Sequence, residues 1–196
     1  MLTIAVVGAF ILFFMVGVPN PTPSQPPPVA LGGSYANLNE TVIRQSIHDF
    51  IKQHNTTVSD ADGRAISRWI TTYAHHETID PFLVAALINR ESAFKKDAVS
   101  QTGAKGLGQI KPFNFESLHI SNPFNIKENI RGTVRYLKRL HVMWQESSDP
   151  TRLVLASYYQ GPNKTKETTG HFPRHVEDYV NDILTTYYRL RPRPSI

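Results

Sequence analysis

What most constrains this chain is where its charge begins. No charged side chain precedes Glu40, so all 21 Lys+Arg and 16 Asp+Glu of the 196 residues, net +5, lie from there onward. The chain therefore divides into two unlike parts. In the first, Leu2 to Val18 is an uncharged run of 17 residues, near the lower limit of the roughly 17 to 25 that a membrane-spanning helix needs. A secretory signal would want a basic start and small residues at a cleavage site. Here only the amino terminus is positive, and Val16, Gly17 and Val18 run straight into Pro19. Residues 1–18 read better as an uncleaved N-terminal anchor helix than as a removed signal. Pro19, Pro21, Pro23, Pro26, Pro27 and Pro28 then take six of the 14 prolines, which makes residues 19–36 an extended, semi-rigid linker. With no cysteine anywhere, disulfides, thiolate metal sites and cysteine-borne lipid are excluded.

The second part, residues 37–190, carries helical periodicity throughout and predicts an all-α domain large enough for its own core. Asn37 and Glu40 read as a capping box for a helix presenting Ile43, Ile47, Phe50 and Ile51 on one side. Ser59 and Asp62 open a second helix, with Ile66, Trp69, Ile70 and Tyr73. Asp80 followed by Pro81 starts the segment Phe82 to Phe94. Asn125 and Glu128 cap a long helix bearing Ile130, Val134, Leu137 and Trp144. Asp149 and Pro150 start another, which Gly161 and Pro162 end. A last helix carries Val176, Val180, Ile183 and Tyr187, and residues 191–196 form a basic tail.

One residue breaks the pattern. Glu91 follows Leu87 by one helical turn and Val84 by two, so it falls on the stripe that faces the core. A carboxyl group with apolar neighbours keeps its proton to higher pH and can serve as a general acid. Spacing alone leaves open a structural glutamate paired with an arginine or a capping amide. Downstream come Ser100 and the stretch Gly103-Ala104-Lys105-Gly106-Leu107-Gly108-Gln109, three glycines within six residues. It lacks the Ser/Thr and the preceding strand of a phosphate loop. It reads either as a tight loop bringing backbone close to a ligand, with Gln109 as polar reader, or as a plain connection between helices.

Other constellations carry less. His75-His76-Glu77 lacks the histidine spacing of a zinc helix, and Asp60-Ala61-Asp62-Gly63 is only a fragment of a calcium loop; neither a metal nor a cofactor is expected. Lys127 to Arg139 and Arg189 to Pro194 are basic, but no base-stacking or groove-reading motif accompanies them. Anionic wall polymers or lipid head groups suit that charge better than nucleic acid.

Several ordered stretches together carry a family resemblance. Ile88-Asn89-Arg90-Glu91-Ser92-Ala93-Phe94, then Ala98-Val99-Ser100, then Gly103 to Pro112 resemble the catalytic core of the soluble lytic transglycosylase (SLT) family, relatives of goose-type lysozyme. Asn129 to Leu137 is similar to that family's Asn-Ile-x-x-Gly-x-x-Tyr-Leu helix, Ala156 to Pro162 to its Tyr-Asn-x-Gly-Pro region, and His175 to Ile183 to its closing helix with a Tyr-Val pair. The likeness covers residues 80–185. At two positions the chain departs from the pattern: Gly108 stands where the family has Met, and Tyr159 where it has Asn.

The resemblance implies a lysozyme-like fold and cleavage of the β-1,4 bond between N-acetylmuramic acid and N-acetylglucosamine in peptidoglycan, ending in a 1,6-anhydro product. By the same likeness Glu91 is the catalytic acid and base, Ser92 orients it, Ser100 and Gln109 support substrate, and Tyr158 stabilises the charged intermediate. Gly108 would remove a side chain that packs against the sugar, and Tyr159 would remove an amide. A water-using muramidase and a non-catalytic wall-binding part of an envelope-spanning secretion, conjugation or phage-entry machine are the alternatives. With the anchor, the expected setting is the inner membrane, single-pass, with the domain in the periplasm; were the N-terminus cleaved, the domain would be secreted to the periplasm.

Overall fold

A computed structural model describes residues 39–191. The expected anchor (1–18), linker (19–36), Asn37 and all of the tail beyond Arg191 lie outside the described residues. Among the described residues, no helix is long and apolar enough to cross a membrane.

Among the described residues eight α-helices follow one another: α1 (Glu40–His54), α2 (Asp60–Glu77), α3 (Pro81–Ser92), α4 (Phe115–Leu118), α5 (Ile126–Trp144), α6 (Pro150–Gln160), α7 (Pro162–Glu167) and α8 (Arg174–Leu190). A 3-10 turn, Pro112–Asn114, leads into α4. No strand appears among the described residues, only isolated bridges that join Lys105 to Val99 and to Ile110. The expected all-α class is met.

Most starts fall where short polar side chains replace the missing intrahelical partners of the first turn. Ser59 accepts from the Asp62 N–H at 3.1 Å, Asn125 from the Glu128 N–H at 3.1 Å, and Asp149 from the Arg152 N–H at 3.2 Å. The first cap differs from the expectation. Asn39, not Asn37, caps α1 by accepting from the Thr41 N–H at 2.8 Å, and Glu40 pairs with Arg44 one turn on instead of reaching back. Glu128 also departs from a reciprocal box. Its carboxylate takes the N–H groups of Ser121 and Asn122 at 2.8 and 2.9 Å, and those bonds hold its pKa below the ordinary value.

The centre of the core is α3. Pro81 through Ile88 are all buried, so this helix has no polar face and must be surrounded. It packs against α8, α2 and α1, while α5 lies across α2 and α6. Asp80 is fully buried at its start. One carboxylate oxygen accepts from the Phe82 N–H at 2.9 Å and the other from the Tyr187 hydroxyl at 2.8 Å. Those bonds satisfy an otherwise costly buried carboxylate and tie the start of α3 to α8.

Candidate active site

Glu91 is the penultimate residue of the buried helix. Directly beyond it the chain turns sharply, with Ala93 (φ 48°) and Phe94 (φ 63°) both in the left-handed region. That conformation costs a residue bearing a Cβ about 1–2 kcal/mol, so the surroundings must hold it. Phe94 is buried, and Asn55 Nδ2 donates to the Ala93 carbonyl at 2.7 Å. The result is a carboxyl fixed at the end of a helix buried from Pro81 to Ile88.

Burial pushes the Glu91 carboxyl up from its ordinary 4.5 to about 7, against the opposing effects of a hydrogen bond from Tyr179 and the nearby Arg90 guanidinium. The Tyr179 hydroxyl, on α8, donates to Glu91 Oε1. Burial and the neighbouring Glu91 hold that phenol well above its usual range, so it remains a donor. Arg90 also lies 5.4 Å from the centroid of the Tyr179 ring and pairs with Asp182 at 3.3 Å. The Ser92 hydroxyl, expected to orient Glu91, instead donates to the Ile88 carbonyl at 3.3 Å. Orientation comes from Tyr179.

The glycine-bearing loop is held from within. Ser100 Oγ accepts from the Ala104 N–H at 3.0 Å, and Gln109 Nε2 donates to the carbonyls of Ala98 and Gly106 at 3.1 and 2.9 Å. Both residues brace the loop itself. Gly106 has φ 76°, and a Cβ there would stand 2.1 Å from the Pro123 carbonyl oxygen, so only glycine fits. Asn129, buried on α5, closes the loop from below: its Oδ1 accepts from the Gly108 N–H at 2.8 Å, and its Nδ2 donates to the carbonyls of Lys105 and Pro123 at 3.1 and 2.8 Å.

Tyr158, on α6, reaches the same loop. Its hydroxyl donates to the Gly108 carbonyl at 2.7 Å, and burial, followed by the charge of Glu91, holds its pKa well above the ordinary value. Tyr158 and Glu91, far apart in the chain, are thus brought within electrostatic reach. The departure at Gly108 has a structural cause. A Cβ at that position would lie 2.0 Å from Thr133 Oγ1 and 3.0 Å from the Tyr158 hydroxyl. Thr133 and Tyr158 occupy the space that a side chain at 108 would need.

Glu91, Tyr158, Tyr179 and the Gly108 backbone therefore converge from α3, α6, α8 and the loop. Among the described residues, no cluster of His, Asp or Glu could hold a metal ion. The family model described as transglycosylase SLT domain matches residues 68–179, more than half of the chain and all of these groups.

The chain belongs to this SLT family.

The membrane-bound lytic murein transglycosylase F of Desulfosudis oleivorans is 39% identical over 82 residues, which is 40% of this chain and 18% of that protein. Its namesake from Ectopseudomonas mendocina is 34% identical over 90 residues, 44% of this chain and again 18% of the relative. The match thus spans less than a fifth of those relatives' length. An X-ray structure of an inactive mutant of lytic transglycosylase Slt from Pseudomonas aeruginosa superposes with TM-score 0.57 over 77% of this chain and 30% of that one, at 20% identity. That likeness establishes the SLT-type fold. Sequence reasoning passed over Tyr179 and Asn129 as site residues. Tyr179 stands in the Tyr-Val pair of the closing helix, and Asn129 lies one turn before Thr133 on the buried stripe of α5.

Proposed function

We propose that this domain is a peptidoglycan lytic transglycosylase in which Glu91 performs both proton transfers. The observation that carries the reading is a single carboxyl group, desolvated to a pKa of about 7 and held by a tyrosine hydroxyl. The protonated Glu91 gives its proton to the glycosidic oxygen as the bond from that oxygen to the muramoyl anomeric carbon breaks. The carboxylate so formed then takes the proton of the muramoyl 6-hydroxyl, whose oxygen closes onto the same carbon. The products are a free 4-hydroxyl and a 1,6-anhydro ring, and no water is consumed.

A water-using glycosidase has a second carboxylate flanking the bond. The carboxylate seen close by, Asp182, is engaged by Arg90 at 3.3 Å. In this reading Tyr158, whose hydroxyl donates to the Gly108 carbonyl and is within electrostatic reach of Glu91, stabilises positive charge on the sugar ring. The apolar run Leu2–Val18 would hold the domain at the inner membrane facing the periplasm; the relatives' name, membrane-bound lytic murein transglycosylase, supports attachment to a membrane. The test is mass spectrometry of material released from purified sacculi by the full chain. Products one water lighter than reducing muropeptides, absent with Glu91→Gln, are expected. Reducing-end products, or release by Glu91→Gln equal to that of the wild type, overturn the reading.

A further inference from the structure

Resting on that glycan reading, we propose that Tyr159, where the family has Asn, is a substrate-contacting residue whose exposed ring receives the apolar face of a sugar beside Glu91. The buried side of α6 consists of Thr151 and Leu153 to Ser157, and Tyr159 projects away from it with 47% of its surface exposed. Single exposed aromatics are ordinary on proteins, but this one is held in place. Its ring lies 4.5 Å from that of Tyr179 at an interplanar angle of 30°, and 5.9 Å from the imidazole of His175. Tyr179 is buried beneath it and donates to Glu91. The exposed ring is therefore one side chain removed from the proposed acid.

A pyranose ring carries hydroxyls around its edge and C–H groups on its faces. A fixed aromatic surface with one side open to solvent suits such a face, and pinning the ring by its neighbours lowers the entropy lost on binding. An asparagine would offer hydrogen bonds at this position but no such surface. The ring predicts that affinity here depends on aromatic area and not on the phenolic hydroxyl.

The experiment is calorimetric titration of the full chain, in the Glu91→Gln background, with the β-1,4-linked tetrasaccharide of N-acetylglucosamine, with circular dichroism confirming that each variant is folded. Tyr159→Ala and Tyr159→Asn are expected to weaken binding by about tenfold, and Tyr159→Phe to restore most of it. In the active background the same substitutions raise KM for sacculi more than they move the pH profile of turnover, because the Tyr179–Glu91 hydrogen bond is kept. Unchanged affinity in Tyr159→Ala, a loss in Tyr159→Phe equal to that in Tyr159→Ala, or no binding of the tetrasaccharide at all overturns the inference. If the sugar binds through Tyr159 but no anhydro product forms, the catalytic reading fails and this one stands. If anhydro product forms and Tyr159→Ala changes neither affinity nor KM, the reverse holds.

Discussion

Glu91→Gln should do more than abolish product release: it should make the protein more stable, and only at neutral and alkaline pH. The native carboxyl binds its proton more tightly than an exposed one, with the pKa moved from 4.5 to about 7. Below the unfolded value both states are protonated and nothing is lost. As pH rises from there through the folded value, unfolding releases a carboxyl that ionises freely, and native stability falls. Above the folded value the loss is complete and stays constant. At about 1.4 kcal/mol per pH unit, that interval comes to about 3 kcal/mol as a ceiling. Glutamine keeps the shape and can still accept from Tyr179, but it has no charge to desolvate.

Thermal or urea denaturation of the two proteins at about pH 4 and about pH 8 reads this directly. For a domain of this size the ceiling corresponds to a Tm gain of roughly 6–12 °C for the variant on the alkaline side, shrinking toward a constant offset on the acid side. A wild-type minus variant difference that does not change with pH refutes the reasoning. It would mean that Glu91 is not held in a charge-disfavouring environment, and the proposed acid would lose its basis.

The same geometry gives three further outcomes. Tyr179→Phe removes the hydrogen bond that favours the charged carboxylate, so the alkaline limb of the pH–rate profile should move up by about one pH unit and turnover should fall; an unmoved limb shows that Tyr179 does not act on Glu91. Gly108→Met should destabilise by about 1–3 kcal/mol through overpacking against Thr133 and Tyr158, and adding Thr133→Ala should recover part of that in urea titrations. Asp80→Ala removes the cap of α3 and the acceptor of the buried Tyr187 hydroxyl, a loss of about 2–4 kcal/mol in the same assay.

Much of this was legible in the chain because helix boundaries are local events. Ser59, Asp80, Asn125 and Asp149 each cap within three residues, and the start signals can be read from a short window. The start of α1 slipped because Asn37 and Asn39 both precede Glu40 and composition does not choose between them. The short helices α4 and α7 carry too few residues for periodicity to register. Glu91 was visible as a carboxylate on an apolar stripe. Its partner was not, since Tyr179 approaches from α8, 88 residues away, and only packing determines which polar group on another helix reaches it. Ser92 was expected to orient it through the family likeness alone, and its hydroxyl instead donates to the Ile88 carbonyl. The reason for Gly108 was equally hidden, because the side chains that fill its space come from α5 and α6.

Glu91 combines burial with partial satisfaction, and the combination decides what it can do. Fully desolvated and unpartnered, the carboxyl would stay protonated across the working range and could donate but not take a proton back. Paired squarely with a guanidinium, it would be ionised throughout and could only accept. Here burial raises the pKa while Tyr179 and Arg90 hold the rise to about 7, where the two forms are nearly equal in free energy and one group can serve in either direction. Arg90 is kept from closing on Glu91 by two competing partners, Asp182 at 3.3 Å and the face of Tyr179. Removing Asp182 frees that guanidinium to turn toward the carboxylate. Asp182→Asn, at a residue that does not itself touch Glu91, should therefore move the alkaline limb of the pH–rate profile to lower pH, and a limb that stays in place or moves up would show that Asp182 does not restrain Arg90.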